Sequence, residues 1–135
     1  MGQNHLWRAD NLIQRKDKAA CVMIDGKSNA ENLRNKLIAA GFSKKAVHCL
    51  GTQEAITANS AICNAVKEHE LRHYGQEQLN NSATKCARRD IGRGGGFGFD
   101  SVEDADATLI ESCAAALYGA MTTKRKPGRK AKVRC

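Results

Sequence analysis

Three aspartates stand at positions where carboxylates can bind divalent cations. Asp25 follows an unbroken apolar run, Ala19 to Ile24, and Asp104 and Asp106 precede an alanine-rich stretch with helical periodicity. Carboxylates at the end of a buried strand and at the start of a helix can converge on two cations. Such a pair, ~3.5–4 Å apart, stabilises the attacking and leaving oxygens in phosphodiester hydrolysis. Aspartate is also typical of a strand-to-helix turn and of a helix N-terminus, so the spacing alone leaves a structural role open.

A second motif could bind zinc. The segment His69-Glu70-Leu71-Arg72-His73 matches H-E-x-x-H, which on a helix puts two imidazoles on one face with the glutamate as general base. This chemistry requires a helix through both histidines and a third ligand. Gly75 follows at once, and the third ligand would have to be a distant residue such as Glu103 or Glu111. We expect a chance match at the end of a helix and keep a zinc peptidase as an alternative.

A glycine-rich segment, Gly92 to Phe99 (GRGGGFGF), contains fragments of a G-x-G pattern. A dinucleotide-binding turn would follow a strand and open a helix, and a phosphate loop would continue into Gly-Lys-Ser or Gly-Lys-Thr. Neither context is present. The pattern favours a mobile surface loop or a short hairpin, and such a loop beside an active site can move over a substrate.

The element that must position Asp25 is a strand–helix–strand unit. Ala19 to Ile24 predicts a buried strand, and Ser28 or Asn29 then caps a helix that ends at Gly41. Ala46 to Leu50 predicts a second strand, parallel to the first. In open α/β sheets, ligands collect just past the carboxyl ends of the strands, which is where Asp25 stands.

The remaining periodicity is helical. Apolar residues at helical spacing predict four further helices, over Met1–Lys18, Thr52–Leu71, Gln76 to about Arg88, and Asp104–Met121. Only two strands are clear, which is few for a stable sheet and leaves bare edges. The sequence therefore predicts that part of the sheet lies upstream of Met1 or comes from another molecule.

Composition separates a nearly neutral body from a basic end. The 135 residues carry a formal charge of +8, but seven of the 22 basic residues and no acid lie in Lys124–Cys135, which leaves 15 basic and 14 acidic residues elsewhere. The six cysteines form no C-x-x-C pair, and no export leader or membrane-length apolar run is apparent. These features predict free thiols in a reducing cytoplasm, with Cys21, Cys63 and Cys113 in the core.

From Val22 to Tyr118, the sequence resembles the later part of the nuclease domain of phage terminase large subunits, the motors that package DNA into capsids. Four segments carry the resemblance, in the order in which the family has them. They are Val22–Phe42, Thr52–Leu71, His73–Gln76 with Leu79 after it, and Asp106–Gly119. Together they span most of the chain.

The resemblance implies an α/β fold, namely an incomplete RNase H-like domain with short parallel strands, packed helices and a long C-terminal helix. Residues 1–121 would form the partial nuclease domain and residues 122–135 a disordered basic tail. The implied activity is a Mg²⁺- or Mn²⁺-dependent endonuclease that cuts concatemeric double-stranded DNA. The implied partners are double-stranded DNA, the phage portal and the small terminase subunit, in the cytoplasm of a host cell, with a phage or prophage as the source and no membrane involved.

Carried over residue by residue, the resemblance assigns Asp25 and Asp106 as catalytic metal ligands, with Asp104 as a fallback for Asp106. It gives His73 only the role of a recurring turn residue. The ATPase half and the first strands of the nuclease sheet, including the strand that bears the first catalytic acid, have no counterpart in this sequence. We therefore expect the isolated chain to lack one catalytic carboxylate and to bind metal weakly.

The basic end has two interpretations. Its cations, which include Lys124, Arg125, Lys126, Arg129 and Lys130, could neutralise DNA phosphates, and that binding would fall steeply with salt. A disordered, solubilising terminus is the alternative. A non-enzymatic DNA-binding or interaction module that works through this segment is therefore the main rival to the nuclease.

Overall fold

The computed structural model describes residues 12–26 and 29–126. These residues form a mixed α/β structure with short strands in two small sheets, as the sequence predicts at that level. In chain order the elements are β1 (Val22–Asp25), α1 (Ala30–Ala39), β2 (Val47–Leu50), α2 (Thr52–Lys67), α3 (Glu77–Lys85), β3 (Ala87–Ile91), β4 (Gly96–Asp100) and α4 (Ala107–Thr122).

The predicted strand–helix–strand unit is confirmed. β1 and β2 pair in parallel, with Val22 opposite Val47 and Asp25 opposite Leu50. α1 ends where predicted, because Gly41 adopts φ 110°, a left-handed conformation that glycine tolerates without strain. The observed N-cap is Asn29, which also has a positive φ, of 68°, and whose side chain makes no capping hydrogen bond.

The glycine-rich segment is the turn of a hairpin. β3 and β4 pair antiparallel from Ala87 opposite Asp100 to Ile91 opposite Gly96, and Gly92 and Gly95 have positive φ in the connection. The sequence predicted the end of a helix where β3 lies. Ala87–Ile91 is exposed except at its last residue, so it carries no alternating apolar pattern that could have indicated a strand.

Two hydrophobic clusters hold these elements. One cluster joins α2, β4 and α4 through side chains such as Ile62, Phe99 and Ile110. The other joins β1, α1 and β2 through Ile24, Leu37 and Val47. Cys21, Cys63 and Cys113 are free thiols, as predicted, but they are only partly buried and lie at the margins of the packing rather than in a sealed core.

Several predicted boundaries shift. α2 ends at Lys67 rather than Leu71, and α4 begins at Ala107 because Asp106 is its N-cap. Among the described residues, no helix is both long and apolar enough to cross a membrane. Most of the predicted Met1–Lys18 helix and residues 127–135 of the basic end fall outside the described part of the chain, although residues 12–14 are helical.

Candidate functional site

A cleft of about 890 Å³ lies at the carboxyl ends of β1 and β2. Its walls come from both strands, the start of α2, the hairpin and the exposed face of α4. Residues that line it include Cys21, Met23, Asp25, Gly26, Gly51, Asn59, Arg89, Asp90, Thr108, Glu111, Ser112 and Ala116. Asp25 lies at the carboxyl end of β1, as the sequence predicts, and its role at this edge stays a prediction.

Close backbone packing fixes the position of Asp25. A side chain at Gly26 would collide with the backbone carbonyl of Leu50, so only glycine allows the chain to turn here against the end of β2. Asp25 itself is exposed at the end of β1 and lines the cleft. The strand end therefore presents a carboxylate to the cavity.

Two further acids and one arginine line the same cleft. Glu111 is half-buried on α4, and Asp90 lies on β3 beside Arg89. The Arg89 guanidinium lies 3.5 Å from the Asp100 carboxylate across the hairpin, which holds the arginine at the cleft wall. The cleft therefore carries three carboxylates against one guanidinium, an electronegative site bordered by a positive group.

The hairpin is held against α2 by a buried amide. Asn59, only 6% exposed, donates from Nδ2 to the Phe97 carbonyl at 2.9 Å. The Arg88 guanidinium stacks over the Phe97 ring at 4.3 Å, a cation–π contact. These two contacts, both to Phe97, hold the hairpin in place as a wall of the cleft.

Asp106 and Asp104 lie at a different place. Both line a second cavity, together with residues of α3, and neither lines the cleft that contains Asp25. The Oδ1 atom of Asp106 accepts a hydrogen bond from the Thr108 N–H at 2.9 Å, the standard N-cap contact. The structure thus gives Asp106 a helix-capping role. Of Asp104, Asp106 and Thr108, only Thr108 lines both cavities.

The start of α4 is unusually well capped. Ser82 on α3 is fully buried, and its hydroxyl accepts from the Ile110 N–H at 3.0 Å and donates to the Asp106 carbonyl at 2.5 Å. Ser101 accepts from the Ala107 N–H at 2.8 Å. Three of the N–H groups that a helix N-terminus leaves unpaired are therefore bonded to side chains.

The described residues contain no group of three or more histidine, cysteine or acidic side chains arranged to hold a metal ion. Two cations need a larger set of oxygen ligands than Asp25 and its neighbours provide within this part of the chain. The described donor set therefore does not fit the two-cation site that the resemblance implies. The assignment of Asp25, Asp106 and Asp104 as metal ligands stays a prediction.

The H-E-x-x-H segment does not have the conformation that zinc binding requires. α2 ends at Lys67, His69 adopts a positive φ of 57°, and no helix covers residues 68–76. The Nδ1 atom of His73 accepts from the Gly75 N–H at 3.0 Å within this loop. The two imidazoles are therefore not one helical turn apart, and the zinc peptidase lacks its structural basis.

The described part of the basic end begins beside the cleft. Lys124, Arg125 and Lys126 are exposed, and Arg125 donates to the Ala20 carbonyl at 2.7 Å. Ala20 and Thr123 both line the cleft, so the basic segment leaves α4 at the cleft margin. Arg129 and Lys130, also predicted to bind DNA, lie outside the described residues.

A cluster that the sequence reasoning missed joins β2, α2 and α4. The Glu54 carboxylate accepts from the Gly51 N–H at 3.1 Å and from the Tyr118 hydroxyl at 3.3 Å, and it lies 2.8 Å from Nε2 of His48. The Gly51 N–H and the His48 ring lower the pKa of Glu54, whereas burial and the Glu54 charge raise the pKa of Tyr118. The sequence feature that could have indicated this cluster is Glu54 itself, because a glutamate at the third position of a helix often accepts a hydrogen bond from the N-cap backbone N–H.

Glu111, Asp90 and Arg89 were also missed as site residues. Glu111 lies one turn after Ala107, within the helix that the sequence predicts. Whether that position faces the cleft depends on how α4 packs on β1, which the sequence does not indicate. Asp90 and Arg89 lie on β3, which the sequence did not predict, because the short hairpin or mobile loop was expected only over Gly92–Phe99. The sequence matches no protein-family model, and comparison with curated proteins and with solved structures finds no similar protein or structure.

Proposed function

We propose that this chain is the DNA-engaging later part of a terminase-like nuclease domain with an RNase H-like fold, acting on double-stranded DNA. The observation that carries the proposal is one cleft that receives Asp25 from the end of a parallel strand and Glu111 from the last helix. Acids on a strand end and on a helix that packs across it are the arrangement the resemblance implies, with Glu111 in the cleft where Asp106 was predicted.

The cations around the cleft support contact with a polyanion. Arg89 lies on one wall, and Lys124, Arg125 and Lys126 leave α4 at the margin. A duplex bound across these groups would release counterions, which makes its affinity strongly salt-dependent. The carboxylates between them would repel phosphate unless cations neutralise them, so the support for DNA binding comes from Arg89 and the basic residues at the margin.

Hydrolysis requires more carboxylates than the described residues bring together. If further ligands complete the cleft, Mg²⁺ or Mn²⁺ would supply charge neutralisation at the scissile phosphate. The contribution of this chain would then be to present Asp25 and Glu111 and to hold the duplex with Arg89. Asp106 would stabilise α4.

The test is binding of a fluorescent 30-base-pair duplex to the intact chain at increasing salt. Without divalent cations, Asp25→Asn and Glu111→Gln should each tighten binding several-fold, because they remove a negative charge from the cleft. Arg89→Ala should weaken it. Asp106→Asn, on the second cavity, and Arg72→Ala, in the loop after α2, are matched controls and should change little.

The rival function is a non-enzymatic module that binds DNA through the basic segment alone. The exposed Lys124, Arg125 and Lys126 favour it. In that case deletion of Lys124–Cys135 abolishes DNA retention, whereas Asp25→Asn and Glu111→Gln leave it unchanged. An intact chain that does not bind the duplex even at low salt would exclude both functions.

Supercoiled plasmid in Mg²⁺ or Mn²⁺ separates binding from cleavage. Any nicking above the level of a mock preparation should disappear in Asp25→Asn and in Glu111→Gln. It should survive in Asp106→Asn, because asparagine caps a helix as well as aspartate does. Loss of nicking in Asp106→Asn with unchanged stability would instead support the predicted role of Asp106 as a metal ligand.

A further inference from the structure

The connection between β3 and β4, which we call the tip, runs from Gly92 to Gly95 and has one side chain, that of Arg93. Gly92 and Gly95 turn the chain with positive φ, of 67° and 80°. An added Cβ at Gly92, Gly94 or Gly95 would meet no described atom beyond the chain neighbours within 4 Å. The tip is therefore a thin stretch of backbone that projects from the described structure and carries a single guanidinium.

The base of the hairpin holds the tip in a defined place. An added Cβ at Gly96 would lie 2.7 Å from Cδ1 of Ile56, so β4 begins in close contact with α2. The rings of Phe97 and Phe99 meet edge to face with their centroids 5.8 Å apart, and Phe99 is buried in the core. Because these contacts begin at the residue that follows the tip, the packing of β4 sets the position of the tip.

The arginine of the tip differs from the two arginines of β3. Arg88 stacks over the Phe97 ring, and Arg89 pairs with Asp100 across the hairpin. Arg93 is exposed and makes no hydrogen bond or ion pair with any of the described residues. Its neighbour Gly92 lines the cleft, which places Arg93 at the cleft rim. A duplex held across the cleft would therefore meet the Arg93 guanidinium on the hairpin side.

We infer that Arg93 enters the minor groove of double-stranded DNA bound at the cleft and gives the chain a preference for A·T base pairs, an inference that rests on the proposed function. The minor groove is ~6 Å wide, and G·C pairs place the guanine amino group in it, whereas A·T pairs present only acceptors. A narrow A·T groove has an enhanced negative potential that attracts an inserted arginine. Because the residues beside Arg93 lack side chains, the backbone can approach the groove closely, which a contact to a surface phosphate does not require.

The test compares the binding of three fluorescent duplexes of equal length to the intact chain at one salt concentration. Their central base pairs are A·T, G·C or inosine·cytosine. Inosine lacks the amino group that guanine places in the minor groove but keeps the major-groove acceptors of guanine. The A·T and inosine·cytosine duplexes should therefore bind at least about fivefold more tightly than the G·C duplex.

Two variants of the tip separate the charge of the arginine from the shape of the backbone. Arg93→Ala should abolish the preference, and Gly94→Val should reduce it at unchanged net charge, because a side chain beside the arginine obstructs entry into the groove. Gly94 does not have a positive φ, and no described atom would crowd its added Cβ, so valine fits without strain. Arg72→Ala, in the loop after α2, is the matched control for the loss of one positive charge and should keep the preference. Circular dichroism of each variant confirms that the fold is retained.

Three results would overturn the inference and leave the proposed DNA binding intact. They are equal affinities for the three duplexes, a preference for A·T that inosine·cytosine does not reproduce, and a preference that survives either tip substitution in full. The last result would assign Arg93 to a phosphate contact or to no contact with DNA. An intact chain that binds none of the duplexes even at low salt would exclude the proposed function, and the inference with it, so the two failures are distinguishable.

Discussion

The two halves of α4 are held in contrasting ways. Its first turn is bonded by side chains from Ser82, Ser101 and Asp106, and Ser82 is completely buried. Its second half lines an open cleft with alanines and makes one polar contact to α2, from Tyr118 to Glu54, at the surface. The carboxylate of Asp106 therefore caps the first turn, whereas the carboxylates of Asp25 and Glu111 line the cleft.

This contrast separates the two aspartates that the resemblance pairs. Asp106 caps a helix beside a buried serine, and Asp25 ends a strand at the cleft. Substitutions at the capped first turn of α4 should affect mainly the free energy of unfolding. Substitutions at the cleft should affect mainly ligand binding.

The largest effect is expected at Ser82. Ser82→Ala removes the acceptor of the buried Ile110 N–H and should lower the free energy of unfolding by about 1–3 kcal/mol. Urea denaturation followed by circular dichroism measures it. Ser112→Ala, an exposed serine on the cleft side of α4, is the matched control and should stay within about 0.5 kcal/mol of the unmodified chain. Equal effects at the two serines would contradict the contrast between the capped start of α4 and its cleft face.

The N-cap aspartate should have the next largest effect. Asp106→Ala should cost about 1 kcal/mol because the Thr108 N–H loses its acceptor, and Asp106→Asn should restore most of this loss. Asp25→Ala should cost less than about 0.5 kcal/mol, because Asp25 is an exposed strand-end residue. Urea denaturation curves of the three variants give the order of their stability losses. A larger loss for Asp25→Ala than for Asp106→Ala would show that Asp25, rather than Asp106, is the acid that stabilises the fold.

The sequence predicts the part of the site that depends on local pattern. An apolar run followed by Asp25, a helix closed by Gly41 and a second apolar run are sufficient to define a parallel strand pair, because burial on both faces leaves a continuous signal. Asp106 at a helix start is likewise a local feature. The sequence left open a structural role for an acid at a helix N-terminus, and the structure supports that role with the hydrogen bond from the Thr108 N–H to Asp106.

The rest of the site depends on tertiary packing. β3 is exposed along Ala87 to Asp90 and has no apolar alternation, so its pairing with β4 could not be recognised from periodicity. Glu111 reaches the cleft only because α4 packs across β1 at Gly119. The serine on α3 that caps α4 is 28 residues from its partner Ile110, and no local rule connects residues at that separation.

At the surface contact of the second half of α4, a smaller and pH-dependent effect is expected. The Gly51 N–H and the His48 ring hold the pKa of the Glu54 carboxyl below its usual value of 4.5. The folded state therefore gains stability above the unfolded pKa and loses it as the pH falls through the lowered pKa. Glu54→Gln should remove this acid dependence at a cost below about 1 kcal/mol, since the pair is solvent-screened. Glu70→Gln, an exposed acid, should leave the pH profile unchanged.

The smallest effect is expected at the tyrosine that connects α4 to this carboxylate. The Tyr118 hydroxyl donates to Glu54, and this bond also lowers the pKa of Glu54. Tyr118→Phe should therefore raise the pKa of Glu54, measured by NMR titration of its side-chain carboxyl, while the free energy of unfolding changes little. Tyr74→Phe, at a side chain that is 99% exposed, is the control. If Tyr118→Phe destabilised the chain as much as Ser82→Ala, both halves of α4 would be held equally firmly.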